Sequence, residues 1–551
     1  MSKEKWVNII MLLAIMAVAF FMRFYQINLA PPGLYPDEAM NGSNTLEALS
    51  TGNFKVFYPE NNGREGMFIN IQALSVKTFG NEPWALRIVS AIFGLLTVLG
   101  LYFLTKEIFP QYRWVPLLAA FFLATSFWHV NFSRIGFRAI SAPFFLTWGM
   151  LGLLRGLRTG NIAALALGGI AFGAGFNTYI SYRLAPLILI PPLLFYLRAW
   201  WKEKSNPERK CAPCAILLFG FFALLAILPL GIYYLKNPAD FLGRASDVSI
   251  LATESPIKTL ILSGIKTLGM FNISGDCNWR HNLPCQPELL LPVGILFLIG
   301  LGILLKDFIL KIKSLPLTST TLLGWFGTSL LPGVLSGEGI PHALRTILAL
   351  PVVMIMAALG LNYLIEKISL WHQRVLATPE YFKYKTQLIR IGKELNILLF
   401  LFLLLIPMAT FKTYFFSWAR NQNTQEAFSS SFVSIGRYLR DAPRNIPKYI
   451  VVNQGGTLVK GIPMPAQTTM FISDTYLEEK RGQKNVYYIK PSDLPMIQNS
   501  PRAIIIPLHF NAEIARQIKN IFPTAKAQSA GDFWIIRTNA AQSHFGEVMP
   551  R

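Results

Sequence analysis

The chain has 551 residues, 52% of them hydrophobic and only 15% charged, with a formal net charge of +22. A soluble domain carries about 25% charged residues, and several apolar runs here approach the ~20 residues that cross a bilayer. The composition therefore excludes a soluble globular protein. The basic excess reads as the positive-inside bias of a polytopic membrane protein and gives no reason to expect a nucleic-acid partner.

Taken in order, hydropathy predicts eleven spans, at 7–25, 84–105, 114–130, 137–154, 161–177, 184–200, 213–234, 288–305, 318–335, 345–365 and 395–415. The first run follows Lys3 and Lys5 and is not followed by a small-residue cleavage site, so it is expected to be retained, with the amino terminus in the cytoplasm. With that orientation the basic loops fall on the inner side, at Lys106, Arg155 and Arg158, at Lys202, Lys204, Arg209 and Lys210, at Lys306, Lys311 and Lys313, and at residues 367–393. Two long outer regions remain, 26–83 and 235–287. The first contains amphipathic stretches near 38–50 and 66–79 that are expected to lie along the membrane interface.

The composition changes near residue 419. A helix is expected at 425–440, short strands at 449–452, 469–472, 486–489, 503–506 and 533–536, and a helix at 513–522. The expected division is a membrane domain of residues 1–418 and an extracytoplasmic α/β domain of residues 419–551. The latter has no Gly-rich phosphate loop and no triad, so it receives no catalytic role. Among the four cysteines, Cys211 and Cys214 fall on the basic, inner side, where reduced thiols are expected. Cys277 and Cys285 lie in an outer loop and are candidates for a disulfide.

The polar clusters gather on the outer face. Asp37 and Glu38 follow the first span in Pro31-Pro32-Gly33-Leu34-Tyr35-Pro36-Asp37-Glu38-Ala39. Two adjacent acids near lipid are costly, because like charges disfavour one another's ionisation. Asp37 is read as a catalytic base; Glu38 is either its tuner or a helix-start charge. Outer loops should be poor in arginine, yet Arg134, Arg138, Arg183, Arg280 and Arg345 lie there. With Glu65, Tyr182, His281 and His342 they are candidates for binding an anionic, phosphate-bearing substrate, since guanidinium groups suit phosphate. Arg134 and Arg138 also read as snorkelling side chains, and Arg183 as an interfacial anchor. His342 and Arg345 would share a face if a helix began there. Glu65, Asp276 and His281 are candidates for a divalent metal, without a spacing motif to support them.

This pattern resembles the GT-C superfamily of membrane glycosyltransferases, in the branch of the dolichyl-phosphate-mannose protein mannosyltransferases and the lipid A aminoarabinose transferases. The residues that carry it are Tyr35 to Ala39, Leu46 to Phe54 and Arg64 to Met67, with weaker support from Gly275-Asp276, Arg280 to Asn282 and Pro341 to Arg345. The resemblance implies a polyprenyl-phosphate sugar donor, a hydroxyl acceptor on protein, lipid or envelope glycan, inversion at the anomeric carbon, and Asp37 as base. Gly66-Met67 stands where the aminoarabinose branch tends to have Lys-Pro-Pro, which speaks against that sugar. The rival readings are a lipid-linked sugar flippase or transporter, which should carry acids at mid-membrane, and a non-catalytic envelope assembly subunit, for which Asp37 is dispensable.

Overall fold

The computed structural model describes residues 3–202, 210–247, 250, 254–311, 316–378, 383–497 and 502–538. Lys204, Arg209 and Lys313 of the expected inner loops, and residues 539–551, lie outside the described residues. Among the described residues, eight helices are long and apolar enough to cross a membrane: Glu4–Phe24, Pro83–Ile108, Arg138–Thr159, Ile180–Lys202, Ala212–Lys236, Leu291–Leu310, Ile347–Ala377 and Lys385–Trp418. Three further expected spans are occupied by the helices Val115–Thr125, Ile162–Ala174 and Leu317–Val334, which are shorter or less apolar than those eight. The chain is thus a multi-pass α-helical membrane protein. Its most enclosed span is Ile347–Ala377, with 89% of the apolar window buried, whereas Lys385–Trp418 has 11% and presents its apolar surface outward.

Two compact units emerge. One comprises Met1–Ala30, Glu65–Phe68 and Arg87–Asn421; the other comprises Pro31–Arg64, Ile69–Leu86 and Gln422–Arg551. The expected membrane domain of residues 1–418 included the whole first loop region. Most of that region clusters instead with the carboxy-terminal residues.

The second unit holds a five-stranded sheet built from β1 (Lys448–Val451), β2 (Val486–Ile489), β3 (Ala503–Pro507), β4 (Lys526–Ser529) and β5 (Trp534–Thr538). The order is β2-β1-β3-β5-β4, parallel from β2 to β3 and antiparallel beyond. Side chains alternate across a strand, and the two faces receive separate cores. Ile450, Ile504, Ile506 and Ile535 pack with Phe432 and Ile435. Val451, Ile505 and Ile536 pack with Ile514 and Ile518 of the helix Ala512–Ile521.

Three expectations need correction here. Residues 469–472 belong to a helix, Gln467–Ile472, in which every residue is buried, so the run offers no alternation to separate strand from helix. The expected helix at 425–440 is broken at Ser429, which adopts φ +51, into Gln422–Ala427 and Ser430–Asp441. The stretch at 38–50 lies in the helix Pro36–Thr51, which is buried continuously from Glu38 to Leu46 and so has no open polar face. Strand β4 was not expected because Lys526–Ser529 is an exposed edge without apolar alternation.

Candidate active site

Gly33 takes φ +66, and a Cβ there would stand 2.3 Å from the Phe428 carbonyl oxygen, so the turn that delivers Asp37 requires glycine. Pro36 then opens the helix Pro36–Thr51, where its missing N–H costs nothing. Glu38 is fully buried, and its Oε1 accepts the Tyr35 N–H at 3.3 Å. Of its two readings, the helix-start charge has this bond behind it. Asp37 is half-buried, and its Oδ1 accepts from Asn61 Nδ2 at 2.8 Å.

Asn61, Asn62 and Gly63 all have positive φ, a turn these residue types tolerate. Arg64 follows and is buried. It donates through Nη1 to Asn41 Oδ1 at 2.6 Å, through Nη2 to Asn44 Oδ1, and through Nε to the Glu60 carbonyl at 3.4 Å. Arg64 therefore fastens the Asn61 turn to the Asp37 helix. Sequence reasoning missed this role; the signal was Asn41 and Asn44, three apart and on one helical face. At the rim Glu47 meets Lys460 at 3.2 Å and Lys55 at 3.9 Å, and accepts from the Tyr476 hydroxyl at 3.4 Å. Burial, with the nearby Glu47 and Glu60 carboxylates, pushes the Tyr476 phenol far up, so it stays a hydrogen-bond donor.

In the first unit a second cluster forms. Asp276 Oδ2 bonds to His281 Nδ1 at 2.8 Å and accepts the Ala343 N–H at 2.9 Å, and it lies 3.7 Å from His342 Nδ1. Single ligand atoms from Asp276, His281 and His342 lie within 4.8 Å of one another. The loop is pinned by the Cys277–Cys285 disulfide and by Asn131, whose amide donates to the Arg280 and His281 carbonyls at 2.9 Å each. From below, Glu288 Oε1 accepts the Asp276 N–H at 3.0 Å and Asn282 Nδ2 at 3.2 Å. Glu288 also lines a cavity of about 270 Å³ with Asn282, Phe127, Leu289, Met354 and Ile406.

The electrostatics of these groups diverge. Burial drives the Glu288 carboxyl well above its ordinary range. Burial also pushes Asp276 up, but the His281 hydrogen bond and the two imidazoles together outweigh it and hold Asp276 below its usual value. Burial, with His281 close by, pushes His342 well down, so its ring is neutral at pH 7. A neutral imidazole is the ligand form. His342 Nδ1 is buried with no hydrogen-bond partner, and one carboxylate with two imidazoles is a donor set that suits a divalent transition metal. The residues fit a metal, but not in the expected set: Glu65 is absent from the cluster and pairs with Arg138 Nε at 2.8 Å, and His342 takes the third place.

The expected phosphate ligands separate by what already holds them. Arg134 is fully buried, donates to the carbonyls of Met22, Tyr25 and Ala30, and stacks over Phe415; it clamps the end of the first span. Arg183 donates to the Phe241 carbonyl at 2.6 Å and lies over that ring, so it anchors the chain. Tyr182 is a buried aromatic packed with Phe172 and Phe176. Arg138 is committed to Glu65. Arg280 and Arg345 are half-buried, with Arg280 Nε on Asn278 Oδ1 at 3.1 Å and Arg345 Nη1 on the Glu338 carbonyl at 3.0 Å. His342 and Arg345 share no helical face, because they precede the 3-10 turn Ile347–Ala349 and the α-helix that begins at Leu350. Cys211 and Cys214, expected as reduced thiols, are joined in a disulfide.

Residues 67–233 match the family model described as dolichyl-phosphate-mannose-protein mannosyltransferase. No curated protein sequence matches the chain. Among solved structures, ArnT from Cupriavidus metallidurans bound to undecaprenyl phosphate is similar with a TM-score of 0.56 and 14% identity, over 98% of this chain and 99% of ArnT. The apo form of that ArnT gives 0.55 and 11%, over 98% of each chain. The archaeal oligosaccharyltransferase AglB from Archaeoglobus fulgidus, in complex with an inhibitory peptide and a dolichol-phosphate, gives 0.50 and 13%, over 92% of this chain and 70% of AglB. The chain has the fold of the GT-C membrane glycosyltransferases, the superfamily that its Tyr35 to Ala39 segment resembles.

Proposed function

We propose that the chain is an inverting glycosyltransferase that moves a sugar from a polyprenyl phosphate to a hydroxyl acceptor at the outer face of the membrane. The fold supports this reading: the similar ArnT structure holds undecaprenyl phosphate and the AglB structure a dolichol-phosphate. The observation that carries it is Asp37, a half-buried carboxylate on the first turn of a helix buried continuously from Glu38 to Leu46, oriented by the Asn61 amide. The acceptor oxygen attacks the anomeric carbon, the bond from that carbon to the phosphate oxygen breaks, and the hydroxyl proton passes to Asp37. Polyprenyl phosphate leaves without protonation, so one carboxylate suffices where a glycosidase needs two.

Asp276, His281 and His342 would hold a divalent ion. Such an ion would supply positive charge suited to a phosphate group. The basic loops favour a cytoplasmic amino terminus and an extracytoplasmic carboxy-terminal unit.

The test uses purified protein, a radiolabelled polyprenyl-phosphate sugar and hydroxyl acceptors. Wild type releases free polyprenyl phosphate; Asp37→Asn stays in the membrane and loses about 10²–10⁴-fold in turnover. Near-normal turnover by Asp37→Asn refutes the reading. Movement of intact donor across vesicles without cleavage assigns the chain to the transporters.

A further inference from the structure

The described carboxy-terminal residues show no Gly-rich phosphate loop, yet they pack against the helix that bears Asp37. Met40 of that helix is part of the sheet's own core, with Phe432, Ile450 and Ile504. Ala39 and Leu46 pack with Val433, Phe471 and Ile472 in a second cluster. The helix Gln467–Ile472 packs extensively along the Asp37 helix.

Three features of that helix bear on the segment around Asp37. Thr468 Oγ1 donates to the Leu34 carbonyl at 2.9 Å, three residues before Asp37, and Thr468 is fully buried. Ser43 Oγ donates to Gln467 Oε1 at 3.0 Å, fixing the middle of the Asp37 helix. Phe471 lies flat against Gly42, where a Cβ would stand 2.5 Å from the ring, so the two helices touch at a point where only glycine fits.

The Gln467 helix is itself immobilised from behind. A Cβ on Gly436 of the helix Ser430–Asp441 would stand 2.7 Å from the Ile472 side chain. Thr469 and Thr475 hydrogen-bond the Tyr488 hydroxyl of β2 at 3.5 and 2.7 Å. A path of hydrogen bonds and packed side chains thus runs from the sheet to the turn that delivers Asp37.

We propose that Thr468, Gln467 and Phe471 are positioning residues for Asp37, so that the carboxy-terminal α/β unit is a working part of the catalytic centre and sets the aim of its base. This rests on the reading of Asp37 as the base of a glycosyl transfer. A displacement of the order of 1 Å at a reacting group costs about 10²-fold in rate, and a side chain that acts only through position leaves donor binding alone.

The test measures kcat and donor KM with radiolabelled polyprenyl-phosphate sugar, together with hydrogen exchange of amides 34–51, on the full-length chain. Thr468→Val keeps the shape and loses the bond to Leu34. It is expected to lower kcat about ten- to a hundred-fold, leave KM unchanged, and raise exchange at residues 34–40. Gly42→Ala, whose Cβ would meet the Phe471 ring, is expected to do the same. If wild type transfers sugar and Thr468→Val keeps both wild-type kcat and wild-type exchange, the positioning role is overturned. If wild type itself transfers no sugar, the glycosyltransferase reading fails, and the role of these residues as aids to a catalytic base falls with it.

Discussion

The Glu65–Arg138 pair offers the sharpest test of whether a residue in this chain binds ligand or builds structure. Their side chains are 5% and 10% exposed, and Arg138 Nε lies 2.8 Å from Glu65 Oε2. An exposed pair contributes about 0–1 kcal/mol. At an effective dielectric of ~20 a separation of 2.8 Å corresponds to about 6 kcal/mol of attraction before desolvation is subtracted. Burial of this degree selects the second regime, in which removing one partner strands a buried charge at a cost of about 3–5 kcal/mol. Arg138→Met and Glu65→Leu should therefore each lower stability by about 3–5 kcal/mol, and the double variant should recover most of it, since a well-packed apolar pair often replaces a buried ion pair at little cost. The assay is denaturant unfolding in detergent across the four proteins of the cycle. Additive losses in the double variant, or a stable Arg138→Met whose defect lies only in donor KM, would refute the structural reading and return Arg138 to the phosphate.

Two more predictions follow from charge and coordination. Lys448 on β1 donates to the Pro443 carbonyl, and burial lowers its pKa from 10.5 to about 8. Between about pH 8 and 10.5 the unfolded chain holds a proton that the folded chain lacks, so stability rises with pH across that window. The unfolding-temperature difference between wild type and Lys448→Met should shrink as pH rises from 8 to 10; a constant difference contradicts the shift. For the Asp276 cluster, elemental analysis after dialysis against a zinc or manganese salt should find one tightly held ion in wild type and less in His342→Ala. Exhaustive chelation should lower transfer, and full activity after chelation removes the metal from the reaction.

Much of this molecule was legible in its sequence. Hydropathy is a sum over about twenty neighbouring residues, so membrane helices could be located without knowing what packs on them. The continuous apolar runs at Ile450-Val451 and Ile504-Ile505-Ile506 likewise mark strands buried on both faces of the sheet. Asp37 stood out because an acid beside a span is expensive and needs a reason.

Partnership was not legible, because it joins residues that the chain separates widely. Ser43 meets Gln467 across 424 positions, and Asp276 reaches the Ala343 amide across 67. Only the tertiary structure could decide that Arg134 spends its donors on three carbonyls, that Arg138 belongs to Glu65, and that His342 replaces Glu65 beside Asp276 and His281. Sequence alone determined the membrane class and singled out one carboxylate. The fold decided which polar groups are already satisfied, because a buried donor or acceptor must find a partner wherever the folded chain places one.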